Sequence, residues 1–191
     1  MNIFSQLLRP FGYLAIRGVS CKAFFDWIIP LVLTILSLSF FYFIGYPFSN
    51  LYNDGGLIKV LAGFVSNLPG FYIAALAATA TFGRKQIDYP LISDNGTAYI
   101  FIKGVKENGM AYKSKEDMTR RLFLCMLFSF LTALSILIVV FNAFFMPLFE
   151  EFKSIYFTIG YSFFFLFFVW QLLVSTFFGL YYLGDRIHLN S

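Results

Sequence analysis

The stretch LFLCMLFSFLTALSILIVVFNAFF, Leu122–Phe145, contains no charged side chain. A transmembrane helix needs about 20 mostly apolar residues, and three further stretches are long and apolar enough: Trp27–Tyr46, Leu57–Phe82 and Ile155–Leu183. The sequence therefore predicts an all-α membrane protein, a four-transmembrane-helix bundle with spans at residues 27–46, 57–82, 122–145 and 155–183. We assign all four spans to a single membrane domain over residues 1–191.

The composition supports a lipid environment and argues against catalysis. The chain is 59% hydrophobic and 13% charged, whereas soluble domains are roughly half apolar and about a quarter charged. Cys21, Cys125 and His188 do not have the spacing of metal ligands, so we expect no metal and no cofactor. The motifs of zinc proteases, serine hydrolases and P-loop enzymes are absent from the sequence, so we expect a protein that is not an enzyme.

The basic residues predict the orientation of the spans, because Lys and Arg concentrate in cytoplasmic loops. Eight of the 14 lie in the central loop, residues 84–121, whereas the connections after the first and third spans carry none and one. These eight are Arg84, Lys85, Lys103, Lys106, Lys113, Lys115, Arg120 and Arg121. We therefore expect both termini and the central loop in the cytoplasm. Arg84, Lys85, Arg120 and Arg121 abut the bilayer and are the predicted membrane anchor.

The segment before the first span, residues 1–23, has an amphipathic pattern. Its apolar residues recur at helical spacing: Ile3, Phe4, Leu7, Leu8, Phe11 and Leu14. This pattern predicts an N-terminal interfacial helix, bent or broken near Pro10. A disordered tail with incidental leucines is the alternative.

The central loop has strand character in Gln86–Ser93 and Thr97–Val105, and Asp94-Asn95-Gly96 between them is a strong hairpin signal. Pro90 restricts the first strand to an edge or to irregular structure. A further turn signal precedes residues 110–113, which we expect to pair back. The loop between spans two and three is therefore predicted to be a small, partly β platform.

The sequence SKED, Ser114–Asp117, resembles a helix-capping box. It predicts a helix that starts at Ser114 and continues without a break into the third span. The platform would then stand on a helical stalk.

Four lysines of the platform lie away from the predicted bilayer boundary. They are Lys103, Lys106, Lys113 and Lys115. Three uses fit them: topology alone, attraction to anionic lipid at about 1 kcal/mol per residue, and docking of a cytoplasmic partner protein. We take them as the predicted partner-binding residues. Direct nucleic-acid binding is not expected, because acidic residues are interleaved and no recognition-fold pattern is present.

The second span carries small residues on nearly one face: Gly70, Ala74, Ala78 and Thr81. Such spacing predicts a helix–helix interface, either within the protomer or between subunits. The fourth span is rich in bulky residues, which suggests that it faces lipid. We therefore expect the second span inside the bundle and the fourth outside. Asn67, beside a Pro-Gly kink, and Gln171 in the fourth span are expected to form structural hydrogen bonds.

Two classes of function remain. One is a membrane sensor or scaffold that recruits a cytoplasmic effector through the basic loop. The other is an oligomeric channel or pore-forming effector that depolarises the membrane, for which Ser129, Thr132 and Ser135 on one face of the third span are the candidate lining. No charged residue lies near the middle of a span, which argues against an ion-coupled transporter.

Four spans with both termini inside, a basic and partly β loop between spans two and three, and a length of 191 residues resemble the membrane subunits of the Kiwa anti-phage defence system. The resemblance covers the whole chain as architecture. It implies a homotetramer in a bacterial inner membrane, with a soluble DNA-binding partner docked on its cytoplasmic side. It further implies a role in antiviral defence, as a sensor of phage infection at the envelope.

Overall fold

The computed structural model describes residues 6–53, 55–81, 83, 85–93, 96–105, 111–151 and 155–183. Within those residues, four helices are long and apolar enough to cross a membrane, and a small strand region accompanies them. The candidate spans are Phe24–Phe43, Leu57–Thr81, Arg120–Leu148 and Ile155–Tyr181. The prediction of a mostly helical protein with four apolar helices of membrane-spanning length and a small strand region is confirmed.

The first span begins with a π-helical turn, Phe24–Ile28, and continues as helix α1, Ile29–Phe43. Pro30 lies in the first turn of α1, where a missing N–H is tolerated. The helix ends before Gly45, which adopts a φ of 69°. This left-handed conformation is the usual way to close a helix.

The second span consists of two helices, α2 at Leu57–Ser66 and α3 at Leu68–Thr81. The break falls at Asn67, just ahead of Pro69, which has no N–H to donate back along the helix. The Asn67 side-chain amide donates to the carbonyl of Gly63 at 3.0 Å. The expected structural hydrogen bond of Asn67 is confirmed.

Helices α4, Arg120–Glu151, and α5, Ile155–Tyr181, form the centre of the bundle. The spans differ in the share of buried residues in their apolar stretch of 18 residues. This share is 50% in α4 and 39% in α5, but 17% in each of the first two spans. The expected order, with the second span inside and the fourth outside, is wrong. Large Leu and Phe side chains fill a core, and α4 and α5 supply them, as in Phe123, Phe130, Leu131, Phe165 and Leu172.

The small-residue face of α3 is exposed along its length. Gly70, Ala74, Ala78 and Thr81 are all exposed in the protomer. Helix α3 instead packs through its opposite side, where Tyr72 and Thr79 are buried. The predicted helix–helix interface is therefore not formed within the protomer, and the alternative, an interface between subunits, stays a prediction.

Two short hairpins form the strand region. Strand β1, Ile92–Ser93, pairs with β2, Gly96–Thr97. Strand β3, Tyr99–Val105, pairs antiparallel with β4, Ala111–Asp117. The expected pairing of residues 111–113 is confirmed, and residue 110 lies outside the described part. The predicted first strand is much shorter than expected, because residues 85–88 form a 3₁₀ turn ahead of Pro90.

The predicted helix start at Ser114 is wrong, because Ser114–Asp117 belong to β4. Helix α4 begins at Arg120, and the backbone N–H of Leu122 donates to the Thr119 hydroxyl at 3.2 Å. Thr119 is therefore the cap that the sequence pattern assigned to Ser114. Continuous pairing with β3 satisfies the backbone of this segment, and that pairing outweighs a local capping preference of about 1 kcal/mol.

Gln6 and Leu7 are α-helical, and after Leu8 the segment continues as a 3₁₀ helix, Arg9–Ala15. The predicted break near Pro10 is confirmed, but the residues after it are 3₁₀ rather than α-helical. Tyr13 is buried and stacks on Phe130 of α4, with ring centres 5.1 Å apart. A Cβ at Gly12 would lie 3.1 Å from Met126, which shows how closely the turn approaches α4. Residues 1–5 of the predicted helix lie outside the described part.

Candidate functional site

The hairpin of β3 and β4 brings most of the predicted partner-binding lysines to one face. Alternate residues of a strand lie on the same face, and the register places Phe101 opposite Lys115 and Lys103 opposite Lys113. We call the face with these positions, together with Tyr99 and Arg17, the basic face. Lys115 is exposed, Lys103 and Lys113 are described as paired backbone positions with their side chains outside the described part, and Lys106 lies outside the described residues.

The basic face carries aromatic rings and cations, and one acidic residue, Asp117, lies opposite Tyr99. The Lys115 ammonium lies 4.3 Å from the centre of the Tyr99 ring, and the Arg17 guanidinium lies 5.9 Å from that of Phe101. Tyr99 and Phe101 contact each other edge to face at 5.3 Å. Arg17, Tyr99 and Phe101 were missed by the sequence analysis, although the alternation of Tyr99, Phe101 and Lys103 is a strand signal that indicates a shared face.

The N-terminal segment extends the hairpin as an additional backbone partner. The N–H of Arg17 donates to the Tyr99 carbonyl at 3.0 Å, and the N–H of Tyr99 donates back at 2.9 Å. Gly18 follows with a φ of 86°, and a Cβ there would lie 3.1 Å from the Ala98 backbone. The position needs glycine both for its conformation and for this close approach.

A cyclic set of backbone hydrogen bonds closes the base of the platform. Leu91 donates to Met118 at 2.8 Å, Ala98 to Leu91 at 2.8 Å, and Met118 to Ala98 at 2.9 Å. All three side chains are buried. The hairpin is thus joined to α4 through satisfied, solvent-protected bonds, which indicates a rigid mount.

Arg121 joins the platform to the end of α3. Its guanidinium binds both carboxylate oxygens of Asp88, at 2.7 and 3.0 Å, and donates to the carbonyls of Thr79 and Ala80 at 3.1 and 3.0 Å. The hydrogen bonds that Arg121 donates to the Asp88 carboxylate lower the pKa of Asp88. A cation at a helix C-terminus also interacts favourably with the helix dipole.

Arg121 was predicted as a membrane anchor, and the structure gives it these internal partners. Arg120, at the same helix start, is half-buried. Lys85 lies in the 3₁₀ turn, its side chain outside the described part, and Arg84 is itself outside it. Anchoring to lipid stays a prediction for all four residues.

A buried ion pair lies beneath the platform, where the first span begins. The Lys22 ammonium donates to Asp26, and the two residues are 6% and 2% exposed. The Tyr13 hydroxyl donates to the other carboxylate oxygen at 3.2 Å, and the Lys22 ammonium lies 4.0 Å from the Tyr13 ring centre. Gln171 of α5 donates to the backbone carbonyl of Asp26 at 2.9 Å. We call these four residues the ion-pair cluster.

The electrostatics of the cluster follow from its burial. Burial, and next the charge of Asp26, raise the pKa of Tyr13, so its hydroxyl stays a donor. Burial lowers the pKa of Lys22, against the opposing attraction of Asp26. Cys21 has a positive φ of 57°, and the following π-helical turn is of a kind often found at functional sites.

The pairing of Lys22 with Asp26 was not predicted from the sequence. The signal was available, because Lys and Asp four residues apart meet on a helix. The expected helix–helix hydrogen bond of Gln171 is confirmed, since it joins α5 to the start of the first span.

A neutral polar cluster lies at the opposite end of the bundle. The hydroxyls of Tyr52 and Ser162 both donate to the Thr158 carbonyl, at 2.9 and 2.8 Å. Burial raises the pKa of Tyr52 to about 12. We call Tyr52, Thr158 and Ser162 the neutral cluster, and it holds the connection after the first span against α5.

Two of the three candidate pore residues of α4, Thr132 and Ser135, donate hydrogen bonds to their own helix. Thr132 donates to the Phe128 carbonyl at 2.8 Å, and the fully buried Ser135 donates to the Thr132 carbonyl at 2.9 Å.

Across the described ranges, no group of three or more His, Cys, Asp or Glu residues is placed to hold a metal ion. Comparison of the chain with protein-family models, with curated proteins and with solved structures found no match.

Proposed function

We propose that the protein is a non-enzymatic membrane scaffold that recruits a soluble partner through the basic face of its hairpin. The observation that carries this proposal is the register of β3 and β4, which sets Lys103 directly opposite Lys113. Like charges at opposed positions destabilise a strand pair by up to about 1 kcal/mol. A partner that brings negative charge to this face relieves that repulsion.

The rigid mount of the hairpin also supports docking. The backbone bonds among Leu91, Ala98 and Met118 fix the platform to α4, so a bound partner is held at a defined position relative to the bundle. Little ordering entropy is then lost when the partner binds. We infer that the partner contacts the basic face through an acidic surface.

From the charge distribution we infer that this face and both termini lie in the cytoplasm. The exposed small-residue face of α3 suits contact with a second copy of the chain. By the resemblance to Kiwa membrane subunits, we extend the proposal to a homotetramer in a bacterial inner membrane. Its partner would be a DNA-binding effector subunit, and the assembly would act as a sensor in antiviral defence.

The test is the mass and content of the complex purified in mild detergent from cells that carry the natural gene neighbours. The variant changes Lys103, Lys106, Lys113 and Lys115 to Glu, and the matched control changes the same four residues to Arg. We expect the wild type and the Arg variant to retain a stoichiometric soluble partner after nuclease treatment. The Glu variant should insert into the membrane at the wild-type level and lose the partner.

Retention of the partner by the Glu variant would contradict docking on the basic face. A wild-type homo-oligomer that contains no partner and conducts ions in a planar bilayer would instead support the alternative function, a channel or pore-forming effector. Loss of the complex on nuclease treatment would point to nucleic acid as the bridging molecule.

A further inference from the structure

One short segment belongs to both the membrane bundle and the basic face. Within residues 13–26, Tyr13 stacks on Phe130 of α4, Arg17 pairs with Tyr99 of β3, and Asp26 receives Lys22. The basic face therefore obtains one of its cations, Arg17, from the same segment that carries the buried ion pair. A movement of this segment that displaces Arg17 would therefore change the basic face.

The ion-pair cluster fixes the segment from three directions. Tyr13 approaches from the 3₁₀ turn, Lys22 from the preceding turn and Gln171 from α5. The bond from Gln171 makes the cluster sensitive to the position of α5. A shift of α5 relative to the first span alters the support of the Asp26 backbone, and through it the geometry of the ion pair.

A buried ion pair suits a two-state contact better than an apolar contact does. Its attraction is offset by the loss of hydration of both charges, so the closed pair and an open, hydrated pair differ less in free energy than the number of contacts suggests. Cys21, the residue before Lys22, is exposed. Cys21 also has a left-handed backbone, with a φ of 57°, which is a strained conformation for a residue other than glycine.

We propose that the ion-pair cluster is a latch that couples the position of α5 to the assembly of the basic face. When the latch is closed, Arg17 is held on Tyr99 and the face is complete. When it opens, the backbone bonds between Arg17 and Tyr99 are released, and the face loses a cation and an edge contact. The coupling stands on the geometry alone, and only its effect on partner binding rests on the proposed function.

Hydrogen–deuterium exchange of the full-length protein in mild detergent, followed by mass spectrometry, tests the latch without any partner. The variant is Asp26→Asn, which removes the charge and keeps the size. We expect amide exchange in peptides that cover residues 15–20 and 97–105 to become faster by about tenfold, as a lost charged hydrogen bond allows. Exchange within 155–170 should stay at the wild-type rate.

Two further variants keep the test decisive. Tyr13→Phe keeps the stacked ring and removes only the hydroxyl, so it remains informative if Asp26→Asn fails to insert; we expect a smaller acceleration in the same peptides. Tyr52→Phe is the matched control, because it removes a buried tyrosine hydroxyl at the other end of the bundle. It should leave residues 15–20 and 97–105 unchanged.

Unchanged hairpin exchange in an inserted Asp26→Asn or, failing that, in Tyr13→Phe would overturn the latch. Equal acceleration in Tyr52→Phe would also overturn it, because the effect would then be general loosening. Partner content is measured separately on the same preparations. Absence of a partner from the wild type contradicts the proposed function, whereas faster hairpin exchange in Asp26→Asn supports the latch in either case.

Discussion

The two ends of the bundle are held by buried polar clusters of different kinds. At the hairpin end, a charged pair, Lys22 and Asp26, is tied to α5 by Gln171. At the other end, the uncharged hydroxyls of Tyr52 and Ser162 meet on one carbonyl of α5. A neutral cluster that loses one group leaves the others bonded, whereas a charged pair that loses one group leaves a buried charge without its counter-charge.

Aromatic packing is similar at the two ends, so charge is what separates them. Tyr13 contacts Phe123 and Phe130 near the ion pair, with ring centres within 5.9 Å. Tyr161 contacts Phe141 and several other rings near the neutral cluster, at a similar spacing of 5.8 Å. The hairpin end is therefore held by a charged contact, and the other end by an uncharged one.

The largest expected effect comes from removing one member of the ion pair. Asp26→Ala should lower the free energy of unfolding by about 3–5 kcal/mol, because Lys22 is left as an uncompensated buried charge. Unfolding in mild detergent, followed by circular dichroism, measures the change. The control is the double variant Lys22→Met with Asp26→Leu, which removes both charges and should lose less, about 1–3 kcal/mol, because only the neutral Tyr13 hydroxyl is left without its acceptor. Equal losses in the single and double variants would show that packing, not charge, sets this end apart.

A smaller effect is expected at the neutral cluster. Tyr52→Phe removes one hydroxyl, and Ser162 still donates to the Thr158 carbonyl, so no group is left without a partner there. The free energy of unfolding should fall by about 0.5–1.5 kcal/mol. The same unfolding assay reports it, with Tyr156→Phe as a control because Tyr156 is 85% exposed. A loss as large as that of Asp26→Ala would remove the distinction between the two ends.

The smallest effect on the protomer is expected at the exposed face of α3. Ala74→Leu with Ala78→Leu should change the free energy of unfolding by no more than about 0.5 kcal/mol, since both positions are exposed. If subunits meet through this face, the oligomer mass from light scattering should change as well. Val60→Phe on α2, at a position 58% exposed, adds bulk away from that face and should leave the mass unaltered. An unaltered mass in the double Leu variant would show that the face meets lipid.

The basic face was partly predictable. Strand alternation links Tyr99, Phe101 and Lys103, and the turn signals indicated that a second strand returns. The sequence did not show that Ser114–Asp117 would be that strand, because SKED is a sound local cap signal and only its seven-residue pairing with β3 outweighs it. Arg17 was not predictable, since it reaches Tyr99 from a segment more than 80 residues away.

The sequence by itself determined the four spans and the presence of a hairpin between the second and the third. Hydropathy over about 20 residues and turn chemistry are properties of consecutive residues, so they can be recognised without knowledge of distant contacts. Only the tertiary structure decided which spans are central, which face of α3 is covered, and that Lys22 and Asp26 are buried. Those outcomes depend on how side chains from distant segments fill one volume, and burial is what turns an ordinary i, i+4 pair into a charged contact without water.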